Sequence, residues 1–147
     1  MAKIYLDPER CIGCRSCEVA CEREHGHPRI SVGIVGDLAA VPVYCHQCDT
    51  SPCTAVCYTG SLRLDGDMVA FDQDLCTRCG LCVVACPFGA IELRSMIQRC
   101  DLCIEKETPI CVMTCPAEAL RLGDVDVVSR STRRRAAGAL AARLVRI

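Results

Sequence analysis

Sixteen cysteines in 147 residues fall into four groups of four, with none left over. Cys11, Cys14, Cys17 and Cys21 form the first group, and Cys45, Cys48, Cys53 and Cys57 the second. Cys76, Cys79, Cys82 and Cys86 form the third, and Cys100, Cys103, Cys111 and Cys115 the fourth. The first and third both read C-x2-C-x2-C-x3-C, and Pro87 follows Cys86. In such a run three thiolates wrap one [4Fe–4S] cube and the fourth reaches a second. Four groups therefore predict four cubes, with all sixteen cysteines as iron ligands.

Two other uses of cysteine compete with this one. A disulfide scaffold belongs to short secreted chains, but residues 1–8 (Met-Ala-Lys-Ile-Tyr-Leu-Asp-Pro) contain no apolar stretch of leader type. Zinc wants two cysteine pairs per site, and Cys11, Cys14 and Cys17 crowd one loop instead. The fourth group, C-x2-C-x7-C-x3-C, comes nearest to a zinc knuckle. A structural zinc-binding assembly protein is the rival reading, and broad visible absorption bleached by dithionite separates the two.

The rest of the composition agrees with a metal-built interior. Three Tyr, two Phe and no Trp make a thin apolar core. The clusters are expected to be the core, so that metal binding becomes folding free energy. No apolar run approaches the roughly 18 residues of a membrane helix. The expected setting is the reducing cytoplasm, where thiols stay free for metal.

Cys57, Cys86 and Cys115 lie 29 residues apart, and similar segments follow each: Cys-Tyr-Thr-Gly-Ser-Leu-Arg-Leu, Cys-Pro-Phe-Gly-Ala-Ile-Glu-Leu and Cys-Pro-Ala-Glu-Ala-Leu-Arg-Leu. One supersecondary unit is therefore repeated. Cys21 departs from it, with a polar stretch after it. Alternation predicts strands at Lys3–Leu6, a hairpin of Ser61–Leu64 with Met68–Phe71, and another of Ala119–Leu122 with Val125–Val128. Arg15–Glu24 and Leu81–Cys86 read as short helices. Pro28 to Pro42 reads as a loop. The fold class is α+β.

Charge is uneven. All 18 acids lie between Asp7 and Asp126. After Asp126 come six arginines, Arg130, Arg133, Arg134, Arg135, Arg143 and Arg146. Removing them from the net charge of −1 leaves the rest at −7. Ala136, Ala137, Leu140, Leu144 and Ile147 form one helical stripe. Residues 1–128 are thus expected to be the cluster domain, and 129–147 a basic amphipathic helix. That helix covers its own domain, docks a partner, or joins another copy of the chain. It lacks the aromatic residues of a membrane-surface helix.

The histidines are secondary candidates. His46, between Cys45 and Cys48, is placed to tune a cluster or is a solvated loop residue. His25 and His27 are expected at the surface. No phosphate-binding glycine loop is present, and the basic tail has no interleaved aromatics for nucleic-acid stacking.

With these motifs in view, the chain resembles the four-cluster ferredoxin-like electron-transfer subunits of multisubunit oxidoreductases. Those relatives serve molybdenum or tungsten enzymes, formate- and hydrogen-linked complexes, and carbon monoxide dehydrogenase. The matching stretches are residues 11–21, 45–57, 76–87 and 100–116, within a resemblance covering residues 1–128. It implies two intertwined dicluster modules. One cube would take Cys11, Cys14, Cys17 and Cys115, and its neighbour Cys100, Cys103, Cys111 and Cys21. The others would take Cys45, Cys48, Cys53 with Cys86, and Cys76, Cys79, Cys82 with Cys57. Pairing of groups adjacent in sequence is the alternative. Tyr58 stands where the pattern prefers Pro.

The resemblance further implies a non-catalytic relay between the catalytic subunit of an oxidoreductase and an electron-acceptor subunit. A tungsten or molybdenum aldehyde or formate oxidoreductase is the foremost partner, and a free soluble polyferredoxin is the alternative.

Overall fold

The computed structural model describes residues 2–36 and 39–144. Four two-stranded antiparallel sheets alternate with short helices. β1 (Lys3–Leu6) is followed by α1 (Ser16–His25), β2 (Ser31–Val35) and β3 (Ala39–Val43). Next come α2 (Pro52–Ala55), β4 (Leu62–Asp65), β5 (Met68–Phe71) and α3 (Leu81–Ala85). The remainder is β6 (Ile91–Leu93), β7 (Ile97–Arg99), α4 (Ile110–Thr114), β8 (Leu120–Gly123) and α5 (Val125–Leu144). The α+β expectation holds at this level.

Strand β1 pairs not with its neighbour in sequence but with β8, Ile4 opposite Leu122. α1 packs on α4, and α2 on α3. Two apolar cores result. The first joins both ends of the chain: Ile4, Cys17, Cys21, Ile30, Val32, Tyr44, Cys111 and Leu120. The second comes from the middle: Cys53, Leu62, Val69, Cys82, Ile91 and Ile97. Cysteines make up a large share of both, as the thin aromatic content demanded.

Two expectations need correction, and one hairpin is added. The connector from Pro28 to Pro42 is largely a hairpin, with Val32 opposite Pro42. Each strand of a two-stranded sheet keeps a free edge, where a proline's missing N–H breaks no ladder. The expected hairpin around Gly123-Asp124 does not form: Leu120–Gly123 pairs with β1, and Val125 opens a helix. Asp124 is the reason. Its carboxylate accepts the Asp126 N–H at 3.0 Å and its carbonyl the Val128 N–H at 3.0 Å, which is helix-capping chemistry. Finally, β6 pairs with β7, Ile91 opposite Arg99, a hairpin whose second strand the sequence pattern did not mark.

The predicted tail helix therefore starts earlier than residue 129 and is exposed almost throughout. Val128 is half-buried, whereas Leu140 and Leu144 are 60% and 70% exposed. Ile147 of the predicted apolar stripe and Arg146 of the basic side lie outside the described residues. Among the described residues no helix is long and apolar enough to cross a membrane.

Candidate metal centres

All sixteen thiols are free. The backbone of their loops follows one scheme. The residue before the second cysteine of each group is left-handed: Gly13 (φ 67°), Gln47 (48°), Arg78 (59°) and Leu102 (61°). Three of these four are not glycine, a strained choice unless surroundings enforce it. Alternating right- and left-handed residues turn successive N–H groups inward, making a concavity suited to an anion. Arg15, Ser51 and Gly80, also left-handed, then start α1, α2 and α3. The fourth group starts α4 at Pro109 instead, after its longer spacer.

A second device follows the fourth cysteines. Cys57, Cys86 and Cys115 each open a turn closed by the N–H of the residue three on: Gly60 at 3.1 Å, Gly89 at 3.3 Å and Glu118 at 3.1 Å. The closing residue is left-handed each time. The turn presents an amide to the sulfur: Leu62 to Cys57 (3.3 Å), Ala90 to Cys86 (3.4 Å) and Ala119 to Cys115 (3.2 Å). Helix α1 runs on past Cys21, so there the amide comes from Arg29, at 3.2 Å. The departure of the first group from the 29-residue repeat thus has a physical form.

The chain brings cysteines together across groups. Cys11, Cys14, Cys17 and Cys115 line one cavity, and Cys57, Cys76, Cys79 and Cys82 another. Burial, with the charges of Cys45 and Cys86 behind it, raises both Cys48 and Cys53. Burial raises Cys111 most, helped by the nearby Cys100, Cys103, Cys21 and Cys17. Burial also pushes Cys17 to about 11, with Cys14 and Cys115 adding to it. It pushes Cys100 to about 12, with Cys45 and Cys21 contributing. Cys17 thus lies near enough to act on Cys111, and Cys45 on Cys100.

This donor chemistry fits iron. The more buried of these thiols resist ionisation alone, because each thiolate is desolvated and repelled by its neighbours, whereas hydrogen bonds from Ser16 lower the exposed Cys14. A cationic metal core removes both penalties, and metal binding then releases the protons. The amide donors aimed at the sulfurs match the hydrogen bonds that tune such clusters.

Gln47 and Arg99, near the cysteines, carry no distinguishing mark in the sequence. Gln47 is 1% exposed, donates to the Cys100 carbonyl at 3.0 Å, and accepts the Val69 N–H at 2.9 Å. Arg99 is also buried, and donates to the Cys100 and Val69 carbonyls. His25, expected at the surface, is half-buried with Nε2 3.4 Å from Cys103 Sγ. The signal was available: Cys17, Cys21 and His25 recur every four residues along one face of α1. His27 is half-buried too, its Nε2 enclosed without a partner among the described residues. His46 stays exposed, its ring 4.8 Å from Tyr44 and 4.2 Å from Phe88.

Residues 37–125 match the model of the 4Fe-4S dicluster domain, and residues 2–22 that of a 4Fe-4S binding domain. The chain belongs to the 4Fe-4S dicluster family. An iron-sulfur protein of Rhodospirillum rubrum is 34% identical over 84% of this chain and 82% of its own. An uncharacterized ferredoxin of Methanocaldococcus jannaschii is 34% identical over 81% of this chain and 78% of its own. Formate hydrogenlyase subunit 2 of Escherichia coli is 42% identical, over 60% of this chain and 46% of its own. Among solved structures, the active site complex BamBC of benzoyl coenzyme A reductase contains a chain of similar fold. The match has a TM-score of 0.50 at 22% identity and covers 100% of this chain and 98% of that one. Membership in the dicluster family makes this an iron–sulfur, ferredoxin-type electron-transfer chain without a catalytic site of its own.

Proposed function

We propose that the chain is a four-cube relay subunit of an oxidoreductase complex, built as two intertwined dicluster modules. The outer module would hold Cys11, Cys14, Cys17 with Cys115, and Cys100, Cys103, Cys111 with Cys21. The inner module would hold Cys45, Cys48, Cys53 with Cys86, and Cys76, Cys79, Cys82 with Cys57. When bound, the cubes supply reversible one-electron reduction. The protein's part is to hold them in a row, shield them from water and set their potentials through amides aimed at the sulfurs. The observation that carries this reading is the gathering of cysteines distant in sequence around shared cavities, Cys115 with Cys11, Cys14 and Cys17 above all.

The proposed domain layout is 1–128 for the clusters and 129–147 for the tail, with the helix itself beginning inside the first segment. The catalytic partner proposed is of the molybdenum or tungsten class and acts on an aldehyde or formate; the likeness to formate hydrogenlyase subunit 2 supports the formate side of that choice. An acceptor subunit would take the electrons at the far end, in the cytoplasm. The free polyferredoxin alternative is disfavoured by α5, which exposes Leu140 and Leu144 on a basic helix, a surface a diffusing carrier does not need.

Anaerobic purification of the native complex tests the proposal. A catalytic subunit should accompany the chain, and that subunit's substrate should reduce the cubes, read as new electron paramagnetic resonance signals. Isolation of the chain alone at its native abundance would favour the free carrier.

A further inference from the structure

Arg99 is 7% exposed and sits where the two proposed modules meet. Its guanidinium donates to the Cys100 carbonyl at 3.1 Å and to the Val69 carbonyl. Nε is enclosed with no hydrogen-bond partner, and among the described residues no carboxylate pairs with the group. A guanidinium keeps its proton under all ordinary conditions. Buried charges are paired or they are costly, so a permanent buried cation with only carbonyl partners lacks its anion.

The missing anions are close by. Arg99 precedes Cys100, and its charge acts on Cys53, lowering that thiol against the larger upward push of burial. Cys100 and Cys45, from different quartets, lie near enough to influence each other. Gln47, between Cys45 and Cys48, binds the same Cys100 carbonyl and the Val69 amide. Two polar side chains therefore clamp the Cys45–Cys53 loop, strand β5 and the Cys100 loop at one point.

We propose that Arg99 is the shared counter-charge of the two middle cubes, those of Cys45, Cys48, Cys53 and Cys86 and of Cys21, Cys100, Cys103 and Cys111. Each cube gains a negative charge on reduction. A fixed cation between them stabilises the reduced form and raises both potentials relative to the two outer cubes. An electron entering the junction from either outer cube then steps downhill, is held by the middle pair, and leaves it by an uphill step. This inference rests on the four-cube reading, which an iron count on the unaltered protein tests separately.

The experiment is a redox titration of the holoprotein, each cube followed by its paramagnetic resonance signal. Arg99→Gln should lower the midpoints of two of the four cubes by at least a tenfold shift in equilibrium, about 59 mV for one electron. The other two should stay put, and Arg99→Lys should restore most of the difference. Unchanged potentials in fully loaded Arg99→Gln would overturn the proposal, as would an equal shift of all four. If Arg99→Gln loses iron, Gln47→Glu decides, because it sets a carboxylate against the guanidinium without removing it. The same two midpoints should fall. Unchanged midpoints there, or loss of iron there too, would make the pair a packing clamp and nothing more.

Discussion

Gly13 lies so close under Ala40 that a Cβ added to the glycine would sit 2.9 Å from the alanine's Cβ. The contact presses the first cysteine loop against strand β3. Gly13 is also left-handed, at φ 67°. That conformation costs a side-chain-bearing residue about 1–2 kcal/mol, a cost that Arg78 and Leu102 bear at the equivalent places. The close approach is what makes Gly13 different. Gly13→Ala should lower the melting temperature of the holoprotein and loosen the cube beside Cys11 and Cys14. Adding Ala40→Gly should recover part of the loss. Equal melting of single and double variants would show that backbone strain alone matters.

The cysteine loops were legible because metal ligation imposes spacing that no other constraint imitates. The strand Lys3–Leu6 and the hairpin partner Met68–Phe71 were legible from alternation. Its pairing with Leu120–Gly123 was not, since β1 finds its partner more than a hundred residues away. The Val125–Val128 segment alternates like a strand, and only the cap at Asp124 tips it to helix. Pro42 and the two glycines of the connector disguised a hairpin. Arg99 and Gln47 were invisible for a different reason: a buried polar side chain reads in sequence like any solvated one.

Metal content comes next. Four cubes predict about 16 iron and 16 sulfide per chain. Chelation should unfold the protein, because cysteines carry much of both cores and metal binding is then folding free energy. Circular dichroism before and after chelation checks this. Half the iron in fully reconstituted protein would reduce the chain to two cubes, and a stable fold after chelation would show a self-sufficient apolar core.

The intertwined pairing predicts an effect at a distance. Cys115→Ser should disturb the cube of Cys11, Cys14 and Cys17, whose cavity it lines. The cube beside Cys76 and Cys79 should keep its spectrum. Loss of signal from the middle groups instead would favour pairing of groups adjacent in sequence.

Among the described residues, α5 is tied to the body by one ion pair, made halfway along the helix. Asp7 is 10% exposed at its side chain and accepts Arg135, which is half exposed. Burial pushes the Asp7 carboxyl up, but Arg135, with the Glu9 amide and Arg10 behind it, outweighs burial and holds the group below the usual carboxylate range. A depressed carboxylate contributes stability that is present above its unfolded value of about 3.9 and lost as pH falls through the folded one. Between pH 8 and pH 5 the contribution is therefore flat. Amide exchange in residues 125–135 should not change across that window. It should rise in Asp7→Asn, and rise modestly with added salt, since such pairs are worth about 0.2–1 kcal/mol. A marked pH dependence above 5 would assign the anchor to another group.

Beyond Arg135 every described residue of α5 is exposed. Leu140 and Leu144 are 60% and 70% exposed on a helix that carries Arg130, Arg133, Arg134, Arg135 and Arg143. The first 129 residues carry −7, so an acidic surface of a partner or of a second copy suits it. Burying the two leucines would contribute about 1.5–3 kcal/mol each, and the arginines would set orientation and salt sensitivity. Deleting residues 131–147 should leave the iron content unchanged and release the chain from its complex. Leu140→Ala with Leu144→Ala should weaken assembly at every salt concentration, whereas Arg133→Ala with Arg134→Ala should matter most at low salt. Full co-purification of the truncated chain with its partners would end the docking role, and loss of iron on truncation would mean that the helix shields the clusters instead.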